Sequence, residues 1–274
     1  MRLDPSAFQP LSLPGLEGPV LALADVVFAH TPQRDLALDL YRPAAAGSVR
    51  PLVVFIHGGG WHGGDKESYR DLAALVAAHG CLAASVEYRL AGEAPYPASL
   101  QDCKLAVRWL RAHADELGAD PSRLAAWGHS AGGHLAALVA LTAGQLEGEG
   151  YAGVPSSLQA VLCFSAPFDL PALQDQLSLD YFRDAGADWQ EALRLASPTS
   201  HVRPGSPPCF LCHGEQDDLV PADQSRRFAA ALAAAGVSVE LLLVPEAGHD
   251  LERFGQDLLI RALAFLERWL GAAA

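Results

Sequence analysis

Positive charge is scarce in this chain: 19 lysines and arginines stand against 32 aspartates and glutamates, giving a formal net charge of -13. No run of basic residues offsets this, so a polyanion would be repelled on average and no nucleic acid is expected as a partner. Residues Met1 to Pro10 hold no basic segment followed by an apolar one. No uninterrupted apolar run reaches the roughly 20 residues that span a bilayer. The expectation is a cytoplasmic protein with no membrane partner. Internal repeats and low-complexity stretches are also missing. The five cysteines are an odd number. Cys81, Cys103 and Cys163 fall in expected strands and a helix, which points to buried thiols rather than a disulfide framework. Cys209 and Cys212 form a C-x-x-C, but no second Cys or His pair at zinc spacing accompanies them. Strand alternation also sets them on opposite faces, so no metal is expected.

What is present suits one globular unit. The 274 residues are half hydrophobic and 19% charged, which fits a single domain over residues 1–274 with a full central sheet. Hydrophobic pattern and punctuation predict strands near 20–29, 35–41, 52–57, 81–88, 123–128, 159–165, 208–213 and 238–244. Helical patterns fall near 66–79, 99–117, 131–144, 222–236 and 251–270. The clearest places Leu100, Cys103, Val107, Leu110, Ala114 and Leu117 on one stripe. The first two strands read as an antiparallel hairpin at a sheet edge, and continuous apolar runs such as LVVFI at 52–56 imply burial on both faces. The expected architecture is a three-layer α/β sandwich with a mostly parallel eight-stranded sheet. Two segments break the alternation. Residues 1–19 read as an N-terminal extension, and residues 171–207, with Tyr181, Phe182 and Trp189 among acidic residues, read as a small cap or as surface decoration.

The residues WGHSAGGH at 127–134 carry the chemistry. Ser130 lies between Gly128 and Gly132 in the pattern G-x-S-x-G, after an apolar strand and before a helical run. Such a turn presents a serine above the sheet, at the positive end of the following helix. With 25 glycines the pattern alone arises easily by chance, so the surrounding loops decide. A serine hydroxyl is a poor nucleophile at neutral pH and needs a base and a carboxylate to orient that base. Strand 208–213 is followed by HGEQDDLVP, which holds Asp217 and Asp218; Asp217 is the preferred acid on its placement in the loop. Strand 238–244 is followed by PEAGHD, and His249 is the preferred base. Of the other histidines, His79 and His113 lie on helical stretches, and His30 and His201 have no motif around them. His129 and His134 flank the serine unfavourably for proton transfer. After strand 52–57 comes HGGGW, whose glycines let N–H groups approach a substrate closely. Gly59, Gly60 and Ala131 are the expected oxyanion donors, with His57 bracing the loop. A phosphate-binding loop would need Gly-Lys-Ser/Thr, and no G-x-G-x-x-G occurs.

These residues resemble the α/β-hydrolase family, specifically carboxylesterases similar to hormone-sensitive lipase and to the bacterial feruloyl and acetyl-xylan esterases. The resemblance runs through LDLYRP at 38–43, IHGGGWHGGDK at 56–66, VEYRLA at 86–91, YPASLQDCKLAVRWL at 96–110, GHSAGGHLA at 128–136, HGEQDDLVP at 213–221 and GH at 248–249. It implies a Ser130, Asp217, His249 triad acting on a small-molecule ester without a cofactor, while apolar residues on the expected C-terminal helix point to a monomer or homodimer. Arg89 and Asp102 lie in matching segments and are expected to form a structural pair. His129 stands where hormone-sensitive-lipase relatives carry an acidic residue, and Gly-Asp-Lys after HGGGW looks more like the feruloyl-esterase and kynurenine-formamidase side. The expected function is a serine carboxylesterase. The alternatives are an aryl formamidase, amidase or peptidase using the same triad, and a binding protein that kept the pocket.

Overall fold

Short apolar runs become the inner strands of a sheet covered on both faces, where their side chains escape water on either side. The computed structural model describes residues 5–13, 16, 18–45, 49–173, 180–182, 188–250 and 255–271. Among these the strands are β1 (Gln9–Leu11), β2 (Val20–His30), β3 (Asp35–Pro43), β4 (Arg50–Ile56), β5 (Leu82–Val86), β6 (Ala119–His129), β7 (Ala160–Phe164), β8 (Cys209–Gly214) and β9 (Val239–Val244). The α-helices are α1 (Arg70–Ala78), α2 (Ala98–Ala112), α3 (Ala114–Leu117), α4 (Ala131–Leu141), α5 (Trp189–Leu195), α6 (Asp223–Ala234) and α7 (Gly255–Leu270). The sheet order is β1-β2-β3-β5-β4-β6-β7-β8-β9. Contacts from β1 to β5 are antiparallel, and those from β5 across β4 to β9 are parallel.

Along β4 the pleat sends Leu52, Val54 and Ile56 into one core and Val53 and Phe55 into the other. The first core is roofed by α2, α4 and α6 through Leu100, Val107, Leu138 and Phe228; the second by α1 and α7 through Ala73, Val76, Phe265 and Leu266. Full burial of each large apolar side chain contributes about 1.5–3 kcal/mol. Because β4 lies between β5 and β6, the chain leaves β4 towards one side and returns across the sheet to the other. The reversal opens a crevice at the carboxyl ends of β4 and β6, where Ile56 pairs with Gly128.

The expected layers are present, with differences at the margins. The sheet has a ninth strand, β1, which lies inside the segment read as an irregular extension and pairs Gln9, Pro10 and Leu11 with Ala22, Leu21 and Val20. Three residues are too few to show a period of two, and the strand forms because the outer edge of β2 offers unpaired backbone groups. The β2–β3 hairpin is therefore one strand in from the edge. The helix expected over 99–117 breaks at His113, and α3 ends on Gly118 at φ 69, a left-handed cap. Residues 251–254 of the last expected helix lie outside the described residues, as do 174–179 and 183–187 of the 171–207 segment. In the described part of that segment Tyr181 and Phe182 are buried within the main core. Among the described residues no helix is long and apolar enough to cross a membrane.

Candidate active site

Three strand ends and the glycine loop converge on Ser130. The serine links β6 to α4 at φ 55 and ψ −125, a backbone conformation that costs a non-glycine residue about 1–3 kcal/mol. Its N–H donates to the Phe164 carbonyl at 2.8 Å, and its carbonyl accepts from the His134 N–H at 3.0 Å. Gly132 is required by a close approach: a Cβ there would stand 2.0 Å from the Ile56 carbonyl oxygen at the end of β4. Helix α4 therefore starts directly against the glycine loop.

The loop after β8 and the loop after β9 supply the partners. His249 Nε2 lies 2.9 Å from Ser130 Oγ, and His249 Nδ1 lies 2.7 Å from Asp217 Oδ2. An ionised carboxylate only accepts hydrogen bonds, so Nδ1 carries the proton and Nε2 presents its lone pair to the serine hydroxyl. The Asp217 side chain is fully buried, and its Oδ1 accepts from the N–H groups of Leu219 and Val220 at 3.0 and 2.8 Å. Burial alone would raise the carboxyl pKa. Hydrogen bonds from His213, His249 and the Val220 N–H outweigh it and hold Asp217 well below the ordinary carboxylate range. Asp218, the alternative acid, is exposed.

The glycine loop comes next. Gly59, Gly60 and Trp61 have φ of 116, 60 and 64, a left-handed run that turns the chain back on itself. The Gly59 carbonyl closes the turn by accepting from the N–H groups of His62 and Gly63 at 3.1 and 3.0 Å. The N–H groups of Gly59, Gly60 and Ala131 find no acceptor among the described residues. Beyond the loop, Lys66 bridges Asp25 and Asp39 at 2.8 and 3.0 Å and pins the segment to the β2–β3 hairpin. His57 stacks on Tyr88 at 4.2 Å, and Tyr88 donates its hydroxyl proton to the His57 carbonyl. A cavity of about 230 Å³ opens here, lined by Gly59, Gly60, Trp61, His62, Ser130, Ala131, Pro167, Leu219 and Val220.

Two histidines without an assigned partner in the sequence acquire one. His129 Nε2–H donates to the main-chain carbonyl of His249 at 2.7 Å, and burial pushes the His129 imidazole down to about 4. His134 accepts from Trp61 Nε1–H at 3.2 Å and donates from Nε2 to the Ala196 carbonyl at 2.7 Å. Burial pushes it, too, down to about 4. Their position in GHSAGGH marks both as neighbours of the serine, but their partners lie about 60 and 120 residues away, beyond the reach of local pattern. Arg89 makes the expected bidentate pair with Asp102, at 2.8 and 2.7 Å. Cys209 and Cys212 point into opposite cores, each pushed up to about 12 by burial. Among the described residues no group of three or more His, Cys, Asp or Glu could hold a metal ion.

A parallel sheet carrying a strained serine elbow, with an aspartate and a histidine on later strand-end loops, defines an α/β hydrolase. The BD-FAE family model matches residues 38–232, and the chain belongs to that family. Carboxylesterase NlhH of Mycobacterium tuberculosis is 33% identical over 93% of this chain and 85% of its own length. Esterase LipQ of the same organism is 31% identical over 88% of this chain; the match spans 61% of LipQ. Among solved structures, the butyrate-bound esterase Est2 of Thermogutta terrifontis superposes with a TM-score of 0.80 at 31% identity, over 92% of this chain and 95% of that one. The same esterase has also been solved phosphoramylated by tabun.

Proposed function

We propose that the protein is a serine carboxylesterase that cleaves carboxylic esters of short acyl chains through an acyl-enzyme on Ser130. The observation that carries the reading is the unbroken hydrogen-bonded series from Ser130 Oγ through His249 to the buried Asp217, at 2.9 and 2.7 Å. Ser130 Oγ attacks the ester carbonyl carbon while its proton passes to His249 Nε2. The resulting oxyanion is held by the N–H groups of Gly59, Gly60 and Ala131, the oxyanion hole in this reading. Asp217 holds the imidazolium in place. The C–O bond to the alcohol then breaks, and His249 returns the proton to the leaving oxygen. A water deprotonated by the same nitrogen releases the acid and restores Ser130.

The names of the relatives favour esters over amides. The cavity of about 230 Å³ lies below the ~300 Å³ at which drug-sized ligand sites begin, which supports a short acyl group. Leu219 and Val220 form its apolar wall, and Tyr181 and Phe182, from the segment read as a small cap, pack against Trp61. Replacing Ser130 with alanine should lower kcat on p-nitrophenyl acetate by at least about 10³-fold with the fold retained. Paraoxon should add one phosphoryl group, at Ser130. Turnover unchanged in Ser130→Ala, or labelling at another residue, would reject the assignment. Across acetate, butyrate, octanoate and laurate esters, kcat/KM should decline beyond butyrate.

A further inference from the structure

Trp61 ends the glycine loop at φ 64, a conformation a bulky residue rarely holds unless its surroundings impose it. Gly60 is held locally through its carbonyl, which accepts from His62 Nδ1–H at 2.7 Å, while a Cβ at Gly60 would meet no atom within 4 Å. After the two glycines the chain is tied to the rest of the fold at Trp61, whose carbonyl accepts from the Ala91 N–H at 2.8 Å and whose indole is 2% exposed. Its Nε1–H donates to Nδ1 of the fully buried His134, whose Nε2–H donates in turn to the Ala196 carbonyl. Only one tautomer serves both partners: Nδ1 bare and Nε2 protonated. Phe182 stands edge-on to Trp61 at 5.0 Å, and the Tyr181 hydroxyl is bonded to Ser99 Oγ.

His134 lies on the first turn of α4, three residues after Ala131. The helix fixes the Ala131 N–H, whereas the Gly59 and Gly60 N–H groups ride on glycines, which have no side chain to anchor them to the helix. A bond from Trp61 to His134 therefore ties the loop donors to the helix that carries the third donor. We propose that the Trp61–His134 hydrogen bond is a positioning element that registers the Gly59 and Gly60 N–H groups against that of Ala131. The proposal rests on the reading of Ser130 as nucleophile and of these groups as its oxyanion donors. Donors aimed at a developing charge are sensitive to placement, and a shift of ~1 Å can cost about 100-fold in rate.

The test uses the full chain. Trp61→Phe keeps a ring and loses the N–H; kcat on p-nitrophenyl acetate should fall about 10- to 100-fold with KM within about twofold. Phosphylation of Ser130 by paraoxon should slow by a similar factor, because its phosphoryl oxygen would occupy the same donors. His134→Gln can accept from Trp61 and donate to Ala196, so it should retain kcat within about threefold, whereas His134→Leu should lose as much as Trp61→Phe. If His134→Leu does not fold, Trp61→Phe and His134→Gln carry the comparison. An unchanged kcat in Trp61→Phe, or a raised KM with kcat held, overturns the proposal. So do equal losses in His134→Gln and His134→Leu. Activity persisting in Ser130→Ala would instead reject the underlying site, so the two failures are separable.

Discussion

His129, the residue before the serine, holds the main chain of His249: its Nε2–H donates to the His249 carbonyl at 2.7 Å, with ring centroids 4.8 Å apart. His249 is thus gripped twice, at its ring by Asp217 and at its backbone by His129, across the gap from β6 to the loop after β9. His129→Phe should lower kcat about tenfold by loosening that loop, and His129→Gln, which keeps an N–H donor, should recover most of it. Steady-state kinetics of the two variants check this; a smaller loss in His129→Phe than in His129→Gln would mean that ring packing, not the hydrogen bond, matters.

The two neighbouring aspartates should separate sharply. Asp217 is buried against His249 and binds two backbone N–H groups, whereas Asp218 faces solvent. Asp217→Asn should cost about 10⁴-fold in kcat, because an amide can donate to Nδ1 and favour the wrong imidazole tautomer. Asp218→Asn should stay within about twofold of the parent. Kinetics on one short ester decides between them.

Acid should destabilise the fold through its buried imidazoles. His134 and His129 sit at about 4 in the native state, against about 6.5 for a free histidine. Between those values the unfolded chain takes up protons that the native one refuses, so stability is full above about pH 6.5 and drains as pH falls towards about 4. His134 alone accounts for about 2 kcal/mol by pH 5, at about 1.4 kcal/mol per pH unit. Asp217, shifted downward, adds a loss of the same sign below the ordinary carboxylate range. Urea midpoints from pH 7 to 4.5 should fall, and the slope should be shallower in His134→Gln.

Much of this was legible in the sequence because its signals are local. A fully buried parallel strand reads as an unbroken apolar run, as in β4. A serine elbow announces itself through Gly128 and Gly132, whose missing Cβ atoms are demanded by neighbouring backbone. Legibility ended where structure depends on distant partners. The strand β1 exists only because β2 has an open edge, and β6 begins at Ala119, before its apolar run, because it pairs early with Arg50. Tyr181 and Phe182, among acidic residues, read equally as part of a cap or as surface decoration, and they pack against Trp61. The roles of His129 and His134 had no sequence signal beyond adjacency, since hydrogen-bond partners across the sheet leave no periodicity.

The contact between Gly132 and the end of β4 couples two distant parts of the chain. No side chain fits between the start of α4 and the Ile56 carbonyl, so HGGGW and GHSAGG meet backbone to backbone. A substitution at Gly132 would displace the glycine loop as well as the elbow, and a shift of that loop would change what the elbow tolerates. Although 66 residues of chain lie between Trp61 and Gly128, the two motifs form one mechanical unit, and strain introduced on either side of that seam is passed to the other.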